Sequence, residues 1–167
     1  FRKATEKHGA ETVWPHFYAG TMGLVQRDGI QRLRHAMGYS QMLGTVCTAL
    51  GDAGWMAGTG GKTGPDPREM ADADLLVLWG TNAVSTQVNV MTHVAKARKN
   101  RGAKLIVIDP YKNPTASTAD THLCLKPGTD GALACALMHV AFRDGYADRD
   151  YMAEYTDVPE EFEAHLK

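Results

Sequence analysis

The sequence predicts an α/β fold with an open, mostly parallel sheet, because two apolar segments flank a helical one. Leu75–Trp79 (LLVLW) is a continuous apolar run, which is typical of a strand buried on both faces. Lys104–Ile108 (KLIVI) reads as a second buried strand, closed by Asp109 and Pro110. Together with the helix between them, these runs form a strand–helix–strand unit of about 35 residues, and such units cross over right-handed.

The helix of this unit is predicted from its apolar spacing, its basic last turn and its stop at Gly102. Its apolar face comprises Val88, Met91, Val94 and Ala95, and its last turn contains Lys96, Arg98 and Lys99. A third strand (THLCLK, residues 121–126) follows, and then a helix with Thr129 or Asp130 as N-cap and Gly145 as stop. This alternation predicts an open, doubly wound sheet of the Rossmann-like class.

The other segments carry weaker patterns. Residues 11–20 (ETVWPHFYAG) are predicted as a strand broken by Pro15, followed by a turn at AGTMG. Residues 26–38 (QRDGIQRLRHAMG) are predicted as a helix. Its apolar face comprises Ile30, Leu33, Ala36 and Met37. Residues 44–55 (GTVCTALGDAGW) show little strand or helix regularity, and the tail is predicted as two short helices split at Pro159.

We predict a single α/β domain over residues 1–167. Residues 1–20 and 147–167 could instead be parts of a neighbouring domain. A chain of 167 residues is long enough for one such core. Its start, FRKATEKHGAETV, lacks an initiator Met and reads as the second half of a helix. We therefore expect an excised part of a larger multidomain protein.

Composition and charge exclude several classes of function. The net charge is −1, so electrostatics indicate no nucleic-acid partner. No window approaches 18 uncharged apolar residues, and the first residues lack a signal-peptide core. The three cysteines, Cys47, Cys124 and Cys135, form no C-x-x-C, so this segment alone predicts neither a zinc knuckle nor an iron–sulfur cluster. The composition is typical of an intracellular domain.

The stretch GTGGKT, residues 58–63, resembles the end of a phosphate-binding P-loop. A P-loop requires a glycine five positions before Gly61, where this chain has Met56. The residues before it are not a β-branched strand, and the following GPDP blocks a helix. We interpret this stretch as a surface loop.

Three strand ends carry small, polar residues, and ligands of open α/β sheets bind beyond such ends. In the loop after Trp79, Gly80 allows close backbone approach, Asn82 offers an amide, and the next helix is expected to present free N–H groups to an anion. Asp109 is placed to accept hydrogen bonds from ribose hydroxyls, and Lys112 to pair with a phosphate. These positions predict a nucleotide-bearing ligand, although no G-x-G-x-x-G follows a strand.

Each of these residues also has an ordinary structural interpretation. Asp109-Pro110 is equally typical of a plain turn, and Asn82 of a residue that completes a loop. Asp130 is interpreted either as a helix cap or as an acceptor from a purine N–H. Cys47 lies between two glycines, where a thiolate could bind a soft metal, although a lone cysteine is usually a small buried hydrophobe.

Residues 66–145 closely resemble the second domain of molybdopterin oxidoreductases of the dimethyl sulfoxide reductase family. The resemblance rests on a W-G-[ST]-N loop at 79–82, an I-D-P strand end at 108–110 and P-G-T-D-G-A-L at 127–133. The likeness extends from YAGTMG (18–23) to RDYMAEYTD (149–157) and so covers nearly the whole chain.

The resemblance implies a molybdenum or tungsten bis-molybdopterin guanine dinucleotide cofactor, one dinucleotide of which contacts this domain. The implied cofactor-binding residues are Trp79, Gly80, Thr81, Asn82, Val84, Ser85, Asp109, Pro110, Lys112, Gly128, Thr129 and Asp130. Cys47 is implied as the catalytic metal ligand, with Asp52 as the alternative that other members' ligand position suggests. The implied chemistry is a two-electron oxidation or oxygen-atom transfer on a small substrate.

The resemblance also implies partners: the remaining domains of the same polypeptide, a small-molecule substrate and an electron-transfer subunit. A 4Fe–4S cluster is expected in an N-terminal part beyond this chain. The 167 residues alone are expected to be inactive, and a cytoplasmic location is slightly favoured over a periplasmic one. Two rival interpretations are a cofactor-free scaffold, like the similar domain of the complex I large iron–sulfur subunit, and another flavin- or nucleotide-binding α/β module.

Overall fold

The computed structural model describes residues 1–17, 24–44, 48–157 and 159–167. Contacts within the chain group these residues into two compact units, residues 1–64 and residues 65–167. The first unit contains the helices α1 (Arg2–His8), α2 (Leu24–Met37) and α3 (Thr48–Thr59). The second contains the strands β1 (Leu75–Trp79), β2 (Lys104–Ile108) and β3 (Thr121–Leu123) and the helices α4 (Ala83–Thr86), α5 (Val88–Arg101), α6 (Asp130–Arg143), α7 (Arg149–Tyr155) and α8 (Pro159–His165).

The three strands form one parallel sheet in the order β1–β2–β3. In the register of β1 with β2, Leu76 lies beside Leu105 and Leu78 beside Val107. Ile108 of β2 lies beside Leu123 of β3. All three strands therefore end at the same edge, and the predicted strand–helix–strand unit is confirmed.

One face of this sheet packs against α5 through small and branched side chains. Val94 and Ala97 of the helix are buried with Leu105 and Val107 of the central strand. The helix ends at Gly102, which has a left-handed φ of 69°, and Ala103 leads directly into β2. Since glycine adopts this conformation without the penalty that other residues incur, the predicted stop at Gly102 is confirmed.

The opposite face of β1 departs from the prediction of a strand buried on both sides. Leu75 is 54% exposed and Val77 is 48% exposed, whereas Leu76 and Leu78 are buried. Successive side chains of a strand point to opposite faces, so one face of β1 is covered and the other open in the described part of the chain. An apolar run shows that both faces can be buried, and it carries no information on what covers each face.

The buried face of α5 is also rotated from the predicted one. Val94 is buried as predicted, but Val88 and Ala95 are exposed, and Ala97 is buried in their place. Both sets of positions follow the helical period, so apolar spacing alone does not choose between two adjacent stripes. The exposed stripe lines an open surface groove together with two lysines. Its lining residues are Val88, Met91, Thr92, Ala95, Lys96 and Lys99.

In the first unit, the predicted helix over residues 26–38 is confirmed as α2, but two other predictions are wrong. Ala10–Thr12 form a short 3-10 helix instead of strand, and residues 13–17 form neither helix nor strand. This segment is held by isolated hydrogen bonds, since the Ser40 amide donates to Val13 O at 3.1 Å and its hydroxyl to Glu11 O at 2.6 Å. A sheet would require a repeated ladder of such bonds. Residues 18–20 of the predicted strand lie outside the described residues.

Helix α3 is the second departure, because residues 48–55 were expected to lack regular structure. The helix tolerates glycines at 51, 54 and 58, each of which costs about 1 kcal/mol relative to alanine. Its last turn is completed by the Thr59 hydroxyl, which donates to Trp55 O at 2.8 Å, and by Gly60 N–H, which donates to Met56 O at 2.9 Å. Local hydrogen bonding therefore stabilises a helix that propensity alone does not predict.

Asp120 joins β2 to the start of β3 and makes the second unit sensitive to acid. The hydrogen bond from Leu105 N–H to its carboxylate, at 2.8 Å, and the neighbouring Arg98 and Lys104 hold the pKa of Asp120 below its usual value. A carboxyl with a depressed folded pKa contributes stability above its unfolded pKa and loses that contribution as pH falls. We expect the free energy of unfolding to decrease as the pH is lowered through about 4. The decrease should be smaller in Asp120→Asn.

Urea unfolding at pH 6 and pH 3 measures this difference, with Asp74→Asn as the control. Asp74 pairs with Arg101 at 2.8 Å through a carboxylate that is 76% exposed. Exposed pairs of this kind contribute little to stability. If the starting protein and Asp120→Asn lose the same free energy of unfolding from pH 6 to pH 3, Asp120 is not the source of the acid sensitivity.

Candidate functional site

The loops that follow the three strands meet at one edge of the sheet. Gly80 N–H donates to Ile108 O at 2.8 Å, which ties the end of β1 to the end of β2. Asp109 N–H donates to Leu123 O at 3.2 Å, and the His122 Nε2–H donates to Asp109 O at 3.0 Å, which ties β2 to β3. The strand ends that the sequence predicted as ligand-binding are therefore adjacent.

The loop after β1 is ordered around Asn82. The side-chain oxygen of Asn82 (Oδ1) accepts from the Thr115 hydroxyl at 2.9 Å, and its side-chain nitrogen (Nδ2) donates to Ser85 Oγ at 3.1 Å. Because Ser85 Oγ accepts this bond, its own proton and the second Asn82 N–H remain to be donated to a ligand. Gly80 has a left-handed φ of 64°, and a Cβ added there would meet no atom within 4 Å.

Several backbone amides within the loop after β1 are engaged by the loop itself or by Thr115. The amides of Ser85 and Thr86 both donate to Asn82 O at 3.0 Å, and the Val84 amide donates to Thr115 Oγ1 at 3.0 Å. These amides belong to the four-residue helix α4, whereas the helix predicted to follow the loop is α5, so free N–H groups at the start of α5 stay a prediction. Within the loop, the Asn82 and Ser85 side chains are available as donors, and the amides of Val84, Ser85 and Thr86 are not.

The loop after β2 contains Asp109, which is 7% exposed. One carboxylate oxygen accepts from Tyr111 N–H at 3.1 Å and the other from the Asn113 amide at 2.8 Å. Within the chain, these contacts are those of a plain turn at Asp109. Each carboxylate oxygen can still accept a further hydrogen bond, for instance from a ligand. Lys112 is exposed and has no hydrogen-bond or ion-pair partner among the described residues, so its ammonium group is free to meet an anion.

The loop after β3 leads into α6 through Gly128, which has a φ of 83° and open space around an added Cβ. The Thr129 hydroxyl donates to Lys126 O at 2.7 Å and so closes a turn. Asp130 is the first residue of the helix and accepts from the Trp79 indole N–H at 2.6 Å. The helix-cap interpretation of Asp130 is therefore wrong: Thr129 holds the N-cap position, and the Asp130 carboxylate reaches across to the end of β1.

Sequence reasoning missed two buried polar residues that organise these loops. Asn113 is 1% exposed and Thr115 is fully buried, and both lie in the segment between β2 and β3. Nothing in the stretch KNPTAST marks them, since Asn, Pro and Thr are ordinary loop residues. Only their partners on neighbouring elements identify them.

One of the two metal-ligand candidates, Asp52, lies in the first unit. Cys47 falls outside the described residues. Asp52 lies on α3, and its carboxylate pairs with Lys62 at 2.8 Å. Lys62 is the lysine of GTGGKT, and this exposed ion pair is formed within the first unit. Among the described residues, no group of three or more His, Cys, Asp or Glu side chains could hold a metal ion.

None of the described helices combines the length and apolar character needed to cross a membrane.

Comparisons with known proteins agree with the motifs at the strand ends. The profile of the family described as "Molybdopterin oxidoreductase" matches residues 22–158. The probable oxidoreductase YoaE of Bacillus subtilis is 39% identical over 168 residues, which cover 100% of this chain and 25% of YoaE. The probable dimethyl sulfoxide reductase chain YnfF of Escherichia coli is 31% identical over 161 residues, which cover 92% of this chain and 20% of YnfF.

The fold has a counterpart among solved structures. Acetylene hydratase from Pelobacter acetylenicus superposes with a TM-score of 0.61 at 19% sequence identity, over 99% of this chain and 22% of the hydratase. At that identity the likeness concerns the fold. The chain spans about a quarter or less of the length of the proteins that it matches.

The chain belongs to the molybdopterin oxidoreductase family. Membership implies a pterin cofactor that carries molybdenum or tungsten. The chemistry of the strand-end residues fits a cofactor that carries anionic and hydroxyl groups, because Lys112 and the Asn82 amide supply donors and Asp109 supplies acceptors.

Proposed function

We propose that this chain is the part of a molybdenum or tungsten oxidoreductase that holds one guanine dinucleotide of a bis-molybdopterin guanine dinucleotide cofactor. The observation that carries the proposal is the convergence of three strand-end loops, which direct hydrogen bonds join at distances of 2.6 to 3.2 Å. Ligands of open α/β sheets bind at such edges.

Each loop contributes a different kind of group. The loop after β1 donates from Asn82 and Ser85 towards phosphate oxygens, and Gly80 keeps its backbone approachable. Lys112 provides the cation for a phosphate, and Asp109 accepts from the ribose. Asp130, held by the Trp79 indole, is placed to accept from the guanine ring N–H groups. The remaining residues of the site, Thr81, Val84, Pro110, Gly128 and Thr129, form the backbone walls between these groups.

The bound cofactor supplies two-electron chemistry at a metal that cycles between the +6 and +4 states. The protein's part is to orient the cofactor and to provide a further metal ligand, for which we propose Cys47. We assign oxygen-atom transfer or a formate-type oxidation of a small substrate to the complete protein.

We also propose that the complete protein supplies what these residues do not contain. The chain corresponds to 25% of YoaE, which leaves room for the second half of the cofactor site and for further domains. A 4Fe–4S cluster in an N-terminal part and an electron-transfer subunit complete the expected assembly.

A cofactor-free scaffold is the second candidate, and one observation favours it. Both oxygens of Asp109 and one oxygen of Asp130 already accept hydrogen bonds from the chain itself. A loop that satisfies its own carboxylates keeps its shape without a ligand.

Analysis of the natively purified full-length protein separates the two candidates. We expect molybdenum or tungsten by plasma mass spectrometry, and guanosine monophosphate in the acid hydrolysate at two nucleotides for each metal. Protein that contains neither would leave the scaffold as the function of this domain. Metal without guanine nucleotide would contradict the dinucleotide assignment alone.

A further inference from the structure

Thr115 joins two of the strand-end loops through a single hydroxyl. Its side chain is fully buried in the segment between β2 and β3. The hydroxyl oxygen accepts from Val84 N–H at 3.0 Å and donates its proton to the Asn82 carbonyl oxygen at 2.9 Å. Both partners belong to the loop after β1, more than 30 residues earlier in the chain.

This pair of bonds decides which end of the Asn82 amide faces outwards. The Thr115 hydroxyl has one proton, and it donates this proton to the side-chain amide oxygen of Asn82. The amide nitrogen is then turned towards Ser85, at 3.1 Å from its hydroxyl oxygen. The outward group at Asn82 is therefore a donor, which suits an anionic oxygen and not a ligand N–H.

The position of Thr115 is itself held by Asn113. The Asn113 carbonyl oxygen accepts from Ala116 N–H at 2.8 Å, directly after Thr115, and its amide donates to Asp109 at 2.8 Å. Asn113 and Thr115 thus link the carboxylate after β2 to the amide after β1. Buried side-chain hydrogen-bond networks of this kind fix side-chain orientation more firmly than surface contacts do.

We propose that Thr115 is a positioning residue of the ligand site: it orients Asn82 so that the loop after β1 presents donors to the phosphate groups of the bound nucleotide. The inference rests on the proposed function. It assigns no contact between Thr115 and the ligand, because Thr115 is buried behind the loop that it orders.

The test compares Thr115→Val, Thr115→Ser and Thr92→Val in the full-length holoprotein. Valine keeps the shape of threonine but removes the hydroxyl, and serine restores the hydroxyl. Thr92 is exposed on α5, and among the described residues its hydroxyl donates only to Val88 O of its own helix, at 3.4 Å, so it is the matched control. The readouts are amide hydrogen exchange of the peptide spanning 80–87 and the guanine nucleotide retained after prolonged dialysis.

In Thr115→Val we expect exchange of residues 80–87 to quicken roughly tenfold, since the Val84 amide loses its acceptor. Nucleotide retention should fall, while exchange of β2 stays unchanged. Thr115→Ser should restore both readouts, and Thr92→Val should alter neither. Equal quickening in β2 would show a general loss of stability and would overturn the positioning role. Unchanged exchange of residues 80–87, or faster exchange with full nucleotide retention, would overturn it as well.

A second variant tests the inference if Thr115→Val does not fold. Asn82→Asp keeps an oxygen towards Thr115 but replaces the outward donor with a negative oxygen. We expect nucleotide loss with unchanged exchange at Val84, and full retention would overturn the inference. Starting protein without guanine nucleotide would overturn the proposed function together with this inference, whereas nucleotide loss in Asn82→Asp with full retention in Thr115→Val would overturn the role of Thr115 alone.

Discussion

Replacing Leu105 with alanine is expected to lower the free energy of unfolding by about 2 to 5 kcal/mol. Leu105 lies on the central strand β2 and is fully buried in one core cluster with Leu76 of the neighbouring strand and Val94 of α5. Alanine removes buried apolar surface and leaves a cavity that the rigid sheet cannot close. A loss of this size is a large part of the stability of a small domain.

The control for this change is Leu75→Ala on the outer face of β1. Leu75 is 54% exposed, so the same substitution is expected to cost less than about 1 kcal/mol. Urea unfolding followed by circular dichroism measures both values on the 167-residue chain. Equal losses at the two positions would mean that both faces of β1 are packed, as the apolar run alone predicted.

Strand positions were predictable because runs of four or five consecutive apolar residues leave few alternatives. Leu75–Trp79 and Lys104–Ile108 match the observed strands. The exposure of Leu75 and Val77 was not predictable, because burial of a face depends on the elements that cover it. The same reason explains why Ala97 rather than Ala95 is buried on α5.

Propensity misjudged the first unit in two opposite ways. The β-branched and aromatic residues of ETVWPHF suggested a strand, but a strand requires a partner, and the Ser40 contacts supply only two isolated bonds. The glycines of residues 44–55 suggested irregular structure, yet α3 forms over 48–59. Tertiary and capping contacts outweigh weak local preferences in both segments.

The candidate site shows a similar division between topology and contacts. Parallel strands place their carboxyl ends together. The sequence therefore predicted that the loops at Gly80, Asp109 and Gly128 lie at one edge of the sheet. The partners of each side chain could not, because the bond from Trp79 to Asp130 spans 51 residues and those of Thr115 span 31 and 33. Pairings of this range depend on how the loops fold over the sheet.

Replacing Cys47 with serine is expected to lower turnover by at least about 100-fold in the full-length enzyme, whereas Asp52→Asn should leave it close to that of the starting protein. Loss of an outer-shell partner already costs roughly 10- to 100-fold at metal sites, and a direct ligand should cost no less. A thiolate is the softer donor of the two. The Asp52 carboxylate is already paired with Lys62 at 2.8 Å.

Turnover is measured with sulfoxide and formate substrates, and X-ray absorption at the metal edge counts sulfur neighbours without any substrate. Cys47→Ser should remove one sulfur neighbour, and Asp52→Asn none. Cys135→Ser, on α6, is the control for the exchange of a thiol for a hydroxyl and should alter neither readout. If Asp52→Asn abolishes turnover while Cys47→Ser keeps every sulfur neighbour, Asp52 is the ligand, and its bond to Lys62 must then break when the metal binds.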